Sequence, residues 1–259
     1  MVAVEGRHVE DACRLWTEMP VGGVSVSDLD PKALEDFRRL AVSSGRLSPE
    51  VAGLPREGLL EALDLTVGGR LKRAAVLLFH PDPGRVLGPT YVKIGMFEGP
   101  ELLFLDEFSG PLIHRAIMAA DILTTKYMLR TVKHDGIVRM VMDRYPELAV
   151  REAVMNAVVH NDYSQGIPIQ IKVTADDIWI FNSGGLPSGW TVDTLIGRHD
   201  PVLRNPSIAS AFYRAGLMEL SGSGIGMMGF LFEGCSDFPP VFRADPDFSV
   251  ELRKPTKAR

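Results

Sequence analysis

Hydrophobic and polar positions follow two different rhythms along this 259-residue chain. The helical rhythm is clearest at Ala149, Val150, Ala153, Val154, Ala157 and Val158, which recur at the spacing of one helix face. Pro146 suits the first position of that helix. Glu152, Asn156 and His160 stand four residues apart and predict a polar line down one edge of the stripe. The strand rhythm is clearest at Ile167, Ile169, Ile171 and Val173, a strict alternation followed by a turn at Asp176-Asp177 and a returning strand, Ile178–Phe181. Upstream, Leu112, Ile113, Ile117, Met118, Leu123 and Tyr127 predict a long helix over Pro111–Arg130. Asp135-Gly136 lies between two β-rich runs and predicts a tight hairpin.

The N-terminal part reads as shorter pieces. A short helix is expected over Val9–Thr17, and Asp30-Pro31 is a cap and first-turn pair for a helix reaching about Val42. Ser48-Pro49 repeats that signal. Leu59–Leu65 and Leu71–Phe79 are further helical stretches separated by a Gly68-Gly69 turn, and Tyr91–Phe97 alternates as a strand that Glu98-Gly99-Pro100 ends. Near the other end, Asn205 and Pro206 open a helix over Ile208–Leu217, and Phe248–Leu252 is a last strand. The connection from Leu186 to Arg204 has no periodicity and is broken by proline and glycine, as a binding loop or a solvated excursion would be. The expected class is α+β: a small α+β module over residues 1–107, then a two-layer α/β sandwich with a largely antiparallel sheet over 108–259.

Composition narrows the classes of function. At 46% hydrophobic and 24% charged residues the chain is ordinary globular protein, and 28 basic against 33 acidic residues give a net charge of −5. That balance leaves no electrostatic footprint for nucleic acid. Cys13 and Cys235 are far apart and lack metal-ligand spacing, so neither a disulfide framework nor a zinc site is expected. The chain opens without a basic-then-apolar leader and has no apolar run near 18 residues, so a cytoplasmic protein without membrane contact is the expectation.

The candidate chemistry lies in three places. Glu152 and Asn156 put a carboxylate one helical turn from a carboxamide, which suits a base beside an oxygen ligand for a hard cation. Asn182 is the first residue past a strand, with Gly184 and Gly185 behind it, so backbone can approach a ligand there. Gly222, Gly224 and Gly226 in GSGIGM precede the apolar run Met227–Phe232, an arrangement that can cradle phosphate oxygens at a helix start. Each has a bland counterpart: a solvated surface glutamate, a strand-end turn, a packing glycine. Arg204 can pair with phosphate or anchor the helix that Pro206 opens. His160 is set aside as structural.

In combination, YPELAVREAVMNAVVHNDY, FNSGGLP, RNPSIASAFYRAGLMEL and GSGIGMM resemble the N, G1 and G2 boxes of the GHKL (Bergerat-fold) ATPases. More narrowly they resemble the branch attached to Schlafen AlbA-like domains in bacterial transcriptional regulators, also described as RecG-like helicase-related proteins. The resemblance implies an ATP-binding domain over 108–259 that uses Mg²⁺. Glu152 would activate water, Asn156 would hold the metal, and Gly222, Gly224 and Gly226 would approach the phosphates. Asn182 stands where the superfamily usually has aspartate for the adenine amino group, and can accept only a weaker, neutral hydrogen bond. The resemblance also implies a homodimer, with DNA contacted only through an upstream domain that this chain lacks, so the chain reads as a shortened relative or a piece of a longer protein. A helicase motor is disfavoured because no GxxxxGK[ST] occurs. The alternative is a degenerate fold serving as a non-catalytic regulatory or interaction module, which Asn182 and Asn161 favour.

Overall fold

The structure, a computed structural model, describes residues 16–128, 131–135, 138–142, 145–197, 199–220, 224–233 and 238–254, with the backbone alone for 131–135, 138–142 and 227. Helices α1 (Pro31–Ser43), α2 (Pro49–Ala52) and α3 (Arg56–Ala62) lead to a small hairpin of β1 (Thr66–Val67) and β2 (Arg70–Leu71). Asp30 caps α1 by accepting from the Lys32 amide, with Pro31 opening the helix. Then come α4 (Arg73–Phe79) and α5 (Pro83–Leu87). Strands β3 (Val92–Glu98) and β4 (Glu101–Phe108) form a hairpin, followed by α6 (Leu112–Ile122), which runs on as a wider π turn to Tyr127. Strands β5 (Thr131–Asp135) and β6 (Val138–Met142) pair antiparallel as expected, and the Gly136 turn between them lies outside the described residues.

The second half holds α7 (Glu147–His160), β7 (Ile169–Val173), β8 (Asp177–Asn182), the short α8 (Val192–Ile196), α9 (Pro206–Arg214), α10 (Gly224–Glu233), β9 (Val241–Ala244) and β10 (Phe248–Arg253). Six strands join in one sheet in the order β4-β3-β7-β8-β10-β9. All its pairings are antiparallel except β3 with β7, where Val92 faces Ile169 and Met96 faces Val173. Alternation sorts the two faces. Ile169, Ile171, Val173, Ile178 and Ile180 are buried, whereas Lys172 is exposed and Trp179 and Phe181 stack on each other on the open side, 5.5 Å apart. Helices α6 and α7 cover the buried face, α6 against β3 and β4 and α7 against β8. This is the expected two-layer α/β arrangement.

Two readings shift. Pro146 is the residue before α7 rather than its first helical residue. β4 and β9 carry no strand signal in the expected element list, yet both are edges of the sheet. A boundary at 107/108 would fall inside that sheet, because the β3–β4 hairpin is hydrogen-bonded onto β7. The buried residues also run without a break from Leu29 through the wholly buried Ala74–Phe79 stretch of α4 to Leu252. The helix expected over Val9–Thr17 lies mostly outside the described residues; Trp16–Glu18 is a short 3-10 turn.

Candidate functional site

The C-terminal half of α7 and the residues just past β8 are fastened together by side chains whose backbone neighbours form a cavity. Asn161, buried at the end of α7, accepts from the Ser183 amide at 3.0 Å, and the Asp162 amide donates to Ser183 O at 2.9 Å. Asn161 is therefore a built-in strut between α7 and the end of β8. Asn205 was expected to cap α9, but its side chain makes no bond there. Its Nδ2 instead donates to Val159 O at 2.7 Å and Asn161 O at 2.9 Å, two carbonyls at the end of α7 that lack helical partners. The start of α9 is served by Glu18, which accepts from Ser207 N at 3.2 Å and from Ser207 Oγ at 2.5 Å. A carboxylate there also meets the positive end of the helix dipole.

The cavity has a volume of about 420 Å³, within the range of small-molecule sites. Glu152, Asn156 and His160 line it from α7, Asn182, Gly184 and Gly185 from the end of β8, and Arg204 from the turn before α9. The polar line on α7, the strand end and the cation thus share one wall system. Gly226 does not reach it. Gly224 and Gly226 sit in the first turn of α10 instead of in an open loop, Ile225 between them faces the cavity, and Gly222 lies outside the described residues.

Glu152 is 8% exposed, and Asn156 Nδ2 donates to its Oε1 at 3.2 Å. Burial raises the Glu152 carboxyl above the usual glutamate range, the Asn156 hydrogen bond opposes this, and the charge of Glu219 adds to the rise. Glu219 itself lines the cavity and is ion-paired with Arg46 from the N-terminal part of the chain. Among the described residues nothing donates to Asn156 Oδ1, so that oxygen is available as a ligand. His160 keeps some surface toward the cavity although protein encloses it, and burial, then the Arg204 guanidinium, lower its imidazole to about 4. It is neutral at physiological pH.

Asn182 is buried and its Nδ2 donates to Ser183 O at 3.2 Å. A carbonyl can only accept, so the amide nitrogen must face it and Oδ1 is left as the free acceptor. Gly184 has φ 89°, and a Cβ there would lie 2.9 Å from Arg204 Cζ; at Gly185 it would lie 2.5 Å from Pro246 O. Glycine is required at 184 by the left-handed backbone and at 185 by the approach of the Pro246 carbonyl. Arg204 Nη2 donates to Gly185 O at 2.8 Å, and its Nη1 stands 3.9 Å from Asp162 Oδ2. It therefore anchors the glycine turn while lining the cavity. No group of three or more His, Cys, Asp or Glu side chains among the described residues is placed to hold a metal. No helix among the described residues is long and apolar enough to cross a membrane.

Residues 166–252 match an HATPase-type family model described as "Putative ATP-dependent DNA helicase recG C-terminal". The match starts behind α7 and takes in Asn182, Gly184, Gly185, Arg204 and the glycine run, but not Glu152 or Asn156. No curated protein matches the chain. Among solved structures, the DIP2311 protein from Corynebacterium diphtheriae superposes with a TM-score of 0.75 at 23% identity, over 93% of this chain and 48% of that one. This chain spans about half the length of that protein, and at such identity the likeness is one of fold. The segment that supplies the glycine wall of the cavity is similar to a helicase-related ATPase-like domain.

Proposed function

We propose that the cavity binds Mg²⁺-ATP in the manner of the GHKL ATPases and hydrolyses it slowly, with Glu152 as the general base. The observation that carries this is the Glu152–Asn156 pair: a buried carboxylate of raised proton affinity, hydrogen-bonded to a carboxamide whose oxygen is free, on the wall of a ligand-sized cavity. Such a carboxylate can take a proton from water, and phosphoryl transfer needs a positioned water and charge neutralisation more than a protein nucleophile. Asn156 would hold Mg²⁺, which when bound neutralises phosphate charge. Asn182 Oδ1 would accept from the adenine amino group. Gly184, Gly185 and Arg204 would meet phosphate oxygens, and the run Gly222, Gly224 and Gly226 would approach them when nucleotide is bound. A nucleotide-driven switch in a homodimeric transcriptional regulator, with DNA bound by a separate domain, belongs to this same reading.

The test is calorimetric titration of ATP with and without Mg²⁺, beside phosphate release by wild type and Glu152→Gln. Binding that needs Mg²⁺, with turnover reduced at least about a hundredfold in the variant and affinity kept, is the expected result. No binding at millimolar ATP would instead support a non-catalytic interaction module.

A further inference from the structure

Trp190 lies in the connection between β8 and α9 and lines the cavity, yet its half-exposed ring packs outside the hydrophobic core. It is held in place all the same. Its amide donates to Pro187 O at 2.9 Å, closing a turn, and its indole meets the His199 imidazole at 4.6 Å with the planes 64° apart. The His199 ring nitrogens stand 3.0 Å from Leu195 O and 3.1 Å from Asp200 O. Leu195 belongs to α8, whose start Thr191 caps by accepting from the Thr194 amide. A turn on one side and a capped helix on the other thus brace an aromatic pair at the edge of the cavity. An indole left half in water forgoes its burial free energy unless a flat apolar partner covers it.

We propose that Trp190, braced by His199, is the nucleobase wall of the cavity, the surface on which the purine ring of a nucleoside triphosphate stacks. This rests on the nucleotide reading above and adds its base subsite. Stacking on an aromatic side chain tolerates any base because every base has a π face. Trp190 therefore supplies affinity for purine nucleotides over bare polyphosphate, while Asn182 Oδ1 favours the amino group of adenine.

The chain has three tryptophans, and the other two are elsewhere: Trp16 packs under Arg73 and Trp179 stacks on Phe181. The part of the intrinsic fluorescence change that is lost in Trp190→Leu therefore reports on the wall. The experiment titrates Mg²⁺-ATP, Mg²⁺-GTP and Mg²⁺-tripolyphosphate into the full chain, following fluorescence and heat, for wild type, Trp190→Leu and Trp190→Phe. Expected are quenching of wild type by both nucleotides and about tenfold weaker nucleotide binding by Trp190→Leu. Tripolyphosphate affinity is expected to stay unchanged in Trp190→Leu, which also shows that the variant is folded, and Trp190→Phe should recover most of the nucleotide affinity. If wild type and Trp190→Leu bind ATP equally, the base wall is overturned and the nucleotide reading stands. If wild type binds neither nucleotide nor tripolyphosphate, the nucleotide reading falls and takes the wall with it.

Discussion

His160 carries no charge at neutral pH, because burial and then the Arg204 guanidinium hold its imidazole down to about 4 from an ordinary 6.5. In the unfolded chain the same ring takes up a proton near 6.5, so between those two values the unfolded state binds more protons. The contribution of His160 to stability is therefore complete above about 6.5 and is lost as the pH falls toward 4. Melting temperatures followed by circular dichroism from pH 7.5 to 4.5 should fall more steeply for wild type than for His160→Gln. Equal slopes would show that the ring is solvated. At the same scale, two asparagines that look like losses in the sequence have opposite characters. Asn161 is a strut between α7 and Ser183, while Asn182 is turned by Ser183 O so that its oxygen, like that of an aspartate, is the group left to accept.

Among the elements, the residues just past α1 join the N-terminal part to the end of α9 and the segment behind it, next to the cavity. Arg46 Nη1 donates to Tyr213 O and Met218 O, both at 2.9 Å, its Nη2 pairs with Glu219, and its guanidinium lies 4.2 Å over the Tyr213 ring. Ser44 Oγ donates to Arg214 O at 2.7 Å, and Gly216 leaves room for Ser44, which a Cβ there would approach to 2.9 Å. Arg46→Ala should cost about 2 kcal/mol in urea unfolding, since it strips two carbonyls and a carboxylate of one planar donor. Arg46→Lys should recover less than half of that, because an ammonium cannot serve all three in one plane.

No spacing rule could foretell this join, which links residues far apart in sequence. What was legible is the part written in periodicity: α7 from its Ala/Val stripe, β7 and β8 from Ile169 to Ile180, α1 from its Asp30-Pro31 start. The strand β4 was not, because Leu102, Leu103, Phe104 and Leu105 follow one another without alternation and all stay exposed on an edge. The line of Glu152, Asn156 and His160 and the Asn182 strand end were readable as chemistry, and they meet in one cavity. Trp190 and Glu219 were missed there. A lone tryptophan in an aperiodic loop and a lone glutamate carry no signal until the chain is folded.

Across the whole molecule, the sheet joins what the sequence divides. A piece comprising residues 108–259 would leave β7 without β3 and would remove Val92, Ile94 and the buried side chains of α4 from the core. Expressed alone, that piece should show no sharp melting transition in near-ultraviolet circular dichroism and should bind an apolar dye. A cooperative melt would show that it folds by itself and support a boundary near 107.

The parallel pairing of β3 with β7 also sets an order of events at synthesis. The β3–β4 hairpin can close as soon as it leaves the ribosome, but its partner emerges only after α6, β5, β6 and α7 have been made. Until then the newborn chain presents the open edge of β3, Val92–Glu98, the kind of template that pairs with whatever strand arrives first. The demand for a chaperone, or for slow translation, is thus greatest over a window that ends when Ile169–Val173 appears.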